Sequence, residues 1–168
     1  RKIDGKETEG ESMSDNEQLL VTSSPHIHAV ESTAKIMWTV VVCLLPAGIW
    51  GVYAFGMSAL AVVIVSIGAC LLTELILGWI GGNFTINDGS AFLTGLLIGY
   101  NMPPSVPLYI PAIASVFAIV VIKWTFGGLG GNWMNPALAG RVFVFFSWTG
   151  AMTSWRLPRA LEGLSGAD

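Results

Sequence analysis

Charge is what this sequence is shortest of. Its Lys, Arg, Asp and Glu together make up 11% of 168 residues, against about 25% in a soluble globular domain. No charged side chain occurs from Ile36 to Thr73, from Gly89 to Ile122, or from Trp124 to Gly140. Gaps of that length exclude an ordinary soluble surface, and crossing a bilayer takes roughly 20 apolar residues per helix. Cysteine is nearly absent. Cys43 and Cys70 both lie in apolar runs without metal-ligand spacing, and read as small buried hydrophobes. No Walker loop, CxxC pair, HExxH or nucleophile elbow occurs, so the common soluble-enzyme chemistries have no support. No cleavable signal peptide is visible, because the first apolar run starts late and is too long. The net charge of −3 comes largely from the N-terminal tail. It says little about partners, and nucleic acid is not expected among them.

What is present reads as an all-α, polytopic membrane helix bundle. Residues 1–24 are polar and read as a disordered tail; Met13 offers a start that would leave 1–12 as an extension. Ser24-Pro25-His26-Ile27-His28 leads into the bundle, expected over 25–150. The two His share a face only in an extended segment; an interfacial lead-in is preferred over a metal pair. A first span is expected over Ile36–Tyr53, kinked at Pro46, with Trp38, Trp50 and Tyr53 as interfacial aromatics. After a tight turn at Phe55-Gly56, a second span covers Met57–Ile80. Glu74 lies inside it. An ionisable group at that depth is a functional candidate, or else a side chain reaching headgroup water.

Asn87-Asp88-Gly89-Ser90 then opens a short helix over Ala91–Tyr100, stopped by Met102-Pro103-Pro104. At 1.5 Å per residue it reaches only ~18 Å, too short to span ~30 Å of hydrocarbon unaided. Asp88 is either an ion ligand or proton-relay carboxylate at a helix start, or a plain N-cap. A further span is expected over Leu108–Trp124, with Lys123 at its end, and a second short helix over Pro136–Trp148. Residues 151–168 read as a polar loop. Lys35 suggests a cytoplasmic N-terminus, yet alternating spans would then put Arg156 and Arg159 outside, against the positive-inside rule.

The densest feature lies between these last two helices. Gly127, Gly128, Gly130 and Gly131 precede Asn132, and Asn135-Pro136 follows as an N-cap and first helical position. No strand precedes the glycines, so this is not a dinucleotide fingerprint. A helix start of this kind presents N–H donors and the positive end of the helix dipole. Gly128, Gly130, Gly131, Asn132, Asn135 and Arg141 are therefore candidate cofactor-binding residues, holding a polar or anionic group. The other reading is structural: glycines permit helix crossing, and Arg141 neutralises Glu74 or Asp88. Asn135-Pro136-Ala137 occurs once only, whereas water channels need two such triplets. Short helices in pairs, each entered through a polar turn, point to a binding site near the midplane of transporter-like folds. A channel or secondary-transporter half without a redox group is thus the alternative function.

Ser24-Pro25-His26-Ile27-His28, Asn87 to Ser90, Met102-Pro103-Pro104 and the block from Phe126 to Phe146 together resemble RnfD, the D-type subunit of the Rnf complex. That complex is an ion-translocating ferredoxin:NAD oxidoreductase. A relative of RnfD is the B-type subunit of the sodium-translocating NADH:quinone reductase. The resemblance implies a multi-pass subunit of the bacterial inner membrane, built from two related halves and not catalytic alone. Its partners would be the other Rnf subunits and the lipid bilayer, and electron transfer would be coupled to Na+ or H+ movement. It also implies flavin mononucleotide (FMN) joined through its phosphate to a Thr in a Ser/Thr-Gly-Ala-Thr motif. Here Ser165-Gly166-Ala167 is followed by Asp168, so either Asp168 replaces the acceptor or the motif lies further on. No covalent attachment residue is present in this chain. An acidic residue entering the third helix is a family feature, which supports Asp88, with Glu74, as an ion-pathway candidate.

Overall fold

Two long apolar helices begin the bundle. Helix α1 covers Thr33–Phe55 and α2 covers Met57–Gly81, and both are long and apolar enough to cross a bilayer. Gly56 joins them at φ 81°, and its N–H closes on the Val52 carbonyl at 2.8 Å. The tight turn expected at Phe55-Gly56 is therefore present, and the glycine makes it in the left-handed region. Pro46 lies inside α1, which continues helical on both sides of it. The computed structural model describes residues 33–81, 86–127, 131–132 and 134–158. The tail 1–24, His26, His28, Gly128, Gly130 and Ser165–Asp168 lie outside the described residues.

Among the described residues every regular element is helical, as expected for an all-α bundle. A single 3-10 turn, Ile86–Asp88, leads into α3, Ser90–Tyr100. Helix α4 is Tyr109–Phe117 and continues as a π-helical segment over Ala118–Trp124. Helix α5 is Pro136–Ser147, and a short α6, Thr149–Thr153, follows. That last turn falls across the boundary where a loop is expected. Buried Met152 anchors it, and its N–H bonds the Trp148 carbonyl at 3.0 Å.

Small residues set the spacing of the core. A β-carbon on Gly95 of α3 would meet the Ile67 α-carbon of α2 at 2.6 Å, and one on Gly99 would meet the Val63 α-carbon at 2.8 Å. Helices α2 and α3 thus cross in backbone contact, as small-residue faces allow in membranes. Hydroxyls buried at this crossing bond back to their own helices: Ser66 Oγ to the Val62 carbonyl, Thr73 Oγ1 to Ala69, and Thr94 Oγ1 to Ser90, each at 2.7–2.8 Å. Their burial is compensated within the helix. Ser115 Oγ of α4 donates to the Ser66 carbonyl at 3.1 Å and ties α4 to α2. Helix α1 lies outermost, with Val41 its buried residue and Ile49, Trp50 and Tyr53 at least 70% exposed. That surface suits lipid rather than water.

The π-helical segment has a visible cause. Buried positions recur at Ile110, Ala114, Ala118 and Ile122, and beside them at Pro111, Ser115, Ile119 and Lys123. The step is four. In an α-helix a four-residue step overshoots a turn by about 40°, so the stripe would rotate away from α2 over three steps. π winding turns less per residue and reverses that drift. Thr125 Oγ1 donates to the Val120 carbonyl five residues back, at 2.9 Å, where this winding ends.

Candidate functional site

Four polar side chains meet where α2, α3 and the π-helical segment converge. Lys123 Nζ lies 2.5 Å from Glu74 Oε1 and donates to Ser90 Oγ at 2.6 Å. Ser90 Oγ donates onward to Asp88 Oδ1 at 2.7 Å. Glu74, Ser90 and Lys123 are 4–5% exposed, whereas Asp88 is half-buried. Glu74 stands seven residues before the end of α2, about 10 Å along the helix. The four groups therefore form a hydrogen-bonded chain from a half-exposed carboxylate to a buried one.

Local sequence builds each part. Gly89 takes φ 73° as the N-cap of α3, and a β-carbon there would come within 3.0 Å of the Trp38 indole nitrogen. Trp38 also lies against Phe92, with ring centroids 5.5 Å apart, and holds α1 to the start of α3. Asp88 is thus not the N-cap. It sits one residue earlier, and its Oδ1 still accepts the Ser90 N–H at 3.0 Å as well as the Ser90 hydroxyl. This Asx turn aims Ser90 Oγ at Lys123. The π winding brings Lys123 onto the same face as Ser115 and Ile119, toward α2.

Lys123 is the residue that sequence reasoning missed. At the end of a span it looks like a cation reaching the interface. The signal was its place at the end of the four-residue stripe of buried positions. Arg141, which the structural alternative set against Glu74 or Asp88, takes no part. Its Nη1 bonds Asn101 Oδ1 at 3.3 Å, beyond the C-terminus of α3, while Asp88 and Ser90 lie at the N-terminus. The eleven residues between put those ends about 16 Å apart.

The glycine-rich loop follows Lys123 and Trp124, and among its described residues none is helical: Trp124 ends the π segment and Pro136 begins α5. Gly131 and Asn135 are exposed, and Asn132 and Arg141 are half-buried. Asn135 caps α5 as expected, with its side-chain oxygen accepting Ala137 N–H at 2.9 Å and Leu138 N–H at 3.4 Å. The Ala139 N–H bonds the Asn135 carbonyl, and Pro136 has no N–H. Every amide of the first turn is accounted for, so this helix end offers no free donors to a phosphate. The donors of this helix end are taken up by its own cap; the amides of Gly128 and Gly130 lie outside the described residues. Asn132 Oδ1 is different: it is buried without a hydrogen-bond partner among the described residues. An acceptor in that position fits the N–H edge of a flavin ring, not its phosphate.

The family model described as NQR2, RnfD, RnfE matches residues 20–168. The D-type subunit of a proton-translocating ferredoxin:NAD(+) oxidoreductase complex, from Clostridium ljungdahlii, is 47% identical over 80% of this chain and 41% of its own length. Its counterpart in a Na(+)-translocating ferredoxin:NAD(+) oxidoreductase complex, from Acetobacterium woodii, is 47% identical over 81% of this chain and 43% of its own length. The D-type subunit of an ion-translocating oxidoreductase complex from Shewanella sediminis is 37% identical over 84% of this chain and 41% of its own length. The chain spans about two-fifths of the length of the relatives it matches. An all-α bundle with apolar spans, an acidic entry to its short third helix and a glycine-rich break before Asn135-Pro136, the chain belongs to the NQR2, RnfD, RnfE family.

Proposed function

We propose that the chain is part of a membrane subunit of an ion-translocating ferredoxin:NAD oxidoreductase. It would work in the bacterial inner membrane with the other subunits of an Rnf-type complex. Electrons would pass through a bound FMN, coupled to movement of Na+ or H+. The observation that carries this reading is the buried chain Glu74–Lys123–Ser90–Asp88. Ionisable groups this deep in an apolar bundle are costly and mark ion or proton paths. The names of two equally similar relatives, one for protons and one for sodium, point to ion coupling without choosing the ion.

The loop beside this chain is where a flavin ring edge would find Asn132 Oδ1. A bound flavin supplies one- and two-electron chemistry, and the protein positions it and tunes its potential. What the described residues add is a polar acceptor in a buried setting, with Trp124 lying over Gly81 between loop and α2. Arg141 remains a cofactor-binding candidate through its Asn101 contact rather than as a counter-charge to Glu74.

The test is in-gel flavin fluorescence and ferredoxin-dependent NAD reduction in the complex containing the full-length subunit. Flavin fluorescence in this subunit, together with ion uptake into proteoliposomes, supports the reading. Ion flux through the subunit without partners, and no flavin, would support the channel or transporter alternative instead.

A further inference from the structure

The Lys123 ammonium occupies the position that a bare cation would take. Glu74 Oε1 and Ser90 Oγ lie 2.5 and 2.6 Å from Nζ, and Asp88 Oδ1 is one hydrogen bond beyond. A metal cation needs such oxygens for itself, and here a tethered ammonium already holds them. A hydroxyl that accepts from an ammonium and donates to a carboxylate is instead the arrangement of a proton relay. Lysine suits that task, because an amine, unlike a guanidinium, can give up a proton and take one back.

From this geometry we infer that Glu74, Lys123, Ser90 and Asp88 conduct protons and not sodium, with Lys123 as the group that gives up and regains the proton. The inference rests on the ion-translocating reading above and names the ion that this path carries. In the transfer, an N–H proton of Lys123 passes to Ser90 Oγ as the Ser90 O–H proton passes to Asp88 Oδ1. Lys123 is then a neutral amine and Asp88 a carboxylic acid. A proton from water on the Glu74 side then protonates the Glu74 carboxylate and passes on to the amine, which restores both the ammonium and the carboxylate. Half-buried Asp88 releases its proton to water, and the Ser90 hydroxyl rotates back toward it. One proton has crossed from the Glu74 side to the Asp88 side. No electron moves, and every other bond is as before.

The experiment uses the complex with the full-length subunit in proteoliposomes, driven by reduced ferredoxin and NAD+. Protons moved per NADH formed are read with an interior pH dye, and sodium with a radioactive tracer. Ser90→Val and Ser90→Thr have the same shape and differ in the hydroxyl. We expect Ser90→Val to lower the proton ratio roughly tenfold or more, and Ser90→Thr to restore it. Lys123→Arg keeps the charge and the ion pair but holds its proton at any working pH. It should assemble with its flavin and still lose proton movement. Ser90→Val leaves the Glu74–Lys123 pair in place, so a merely structural pair would keep its proton ratio in that variant. Unchanged proton ratios in both Ser90→Val and Lys123→Arg overturn the inference, as does sodium uptake that neither variant alters. A wild-type complex without flavin or ferredoxin-dependent NAD reduction refutes the functional reading itself, and this inference with it.

Discussion

Gly95 of α3 passes so close to Ile67 of α2 that a β-carbon on the glycine would lie 2.6 Å from the Ile67 α-carbon. The obstructing atom is backbone and cannot turn aside. We therefore expect Gly95→Ala to push α2 and α3 apart and destabilise the subunit by about 1–3 kcal/mol. Gly68 is the control, since nothing lies within 4 Å of a β-carbon there. Gly68→Ala should be neutral or slightly stabilising, because alanine is the better helix former. Thermal unfolding of the full-length subunit in detergent distinguishes them; equal melting temperatures would contradict the close crossing.

The Glu74–Lys123 pair makes a second prediction. Glu74→Gln leaves a buried ammonium without its counter-charge, which costs about 3–5 kcal/mol. Replacing both, as Glu74→Met with Lys123→Met, removes the charge from both ends and should cost much less than the two single changes added together. A double-mutant cycle on assembled complex measures the coupling. Additive effects would mean that the two side chains do not meet.

Asn135 is expected to act through its side-chain oxygen on α5. Asn135→Ala should lower stability by about 1 kcal/mol, and Asn135→Asp or Asn135→Ser should largely retain it. If Asn135 instead served a ligand directly, alanine would abolish flavin fluorescence while leaving the melting temperature in place.

Tyr100 and Gly48 form a lock between α3 and α1. The Tyr100 hydroxyl donates to the Leu44 carbonyl at 3.1 Å, and it lies 2.0 Å from where a Gly48 β-carbon would be. Gly48→Ala should displace the ring and loosen α1. Adding Tyr100→Phe removes the nearest clashing atom and should partly restore stability, although Tyr100→Phe alone loses a hydrogen bond. Protease accessibility of α1 would report both effects, and a double variant worse than Gly48→Ala alone would contradict this contact.

Much of the bundle was legible without coordinates. The charge gaps placed both long helices to within a few residues, Gly56 marked the turn between them, and Asn135-Pro136 marked the start of α5. These signals are local: hydropathy over a span, a left-handed glycine, a cap whose acceptor is two residues from its donor. Glu74 and Asp88 were also visible as singular charges in apolar surroundings. Their meeting was not.

Which cation answers Glu74 depends on the phase of a helix 49 residues away. On charge alone Arg141 was as eligible as Lys123. The four-residue stripe, wound partly as π-helix, turns Lys123 inward, and the bare glycines of α3 bring Ser90 and α2 close enough to share it. Sequence determined which segments are helical and apolar, because those preferences are summed over neighbouring residues. Only the tertiary structure decided which polar groups touch, because that depends on how far each helix has rotated by the time it reaches the others.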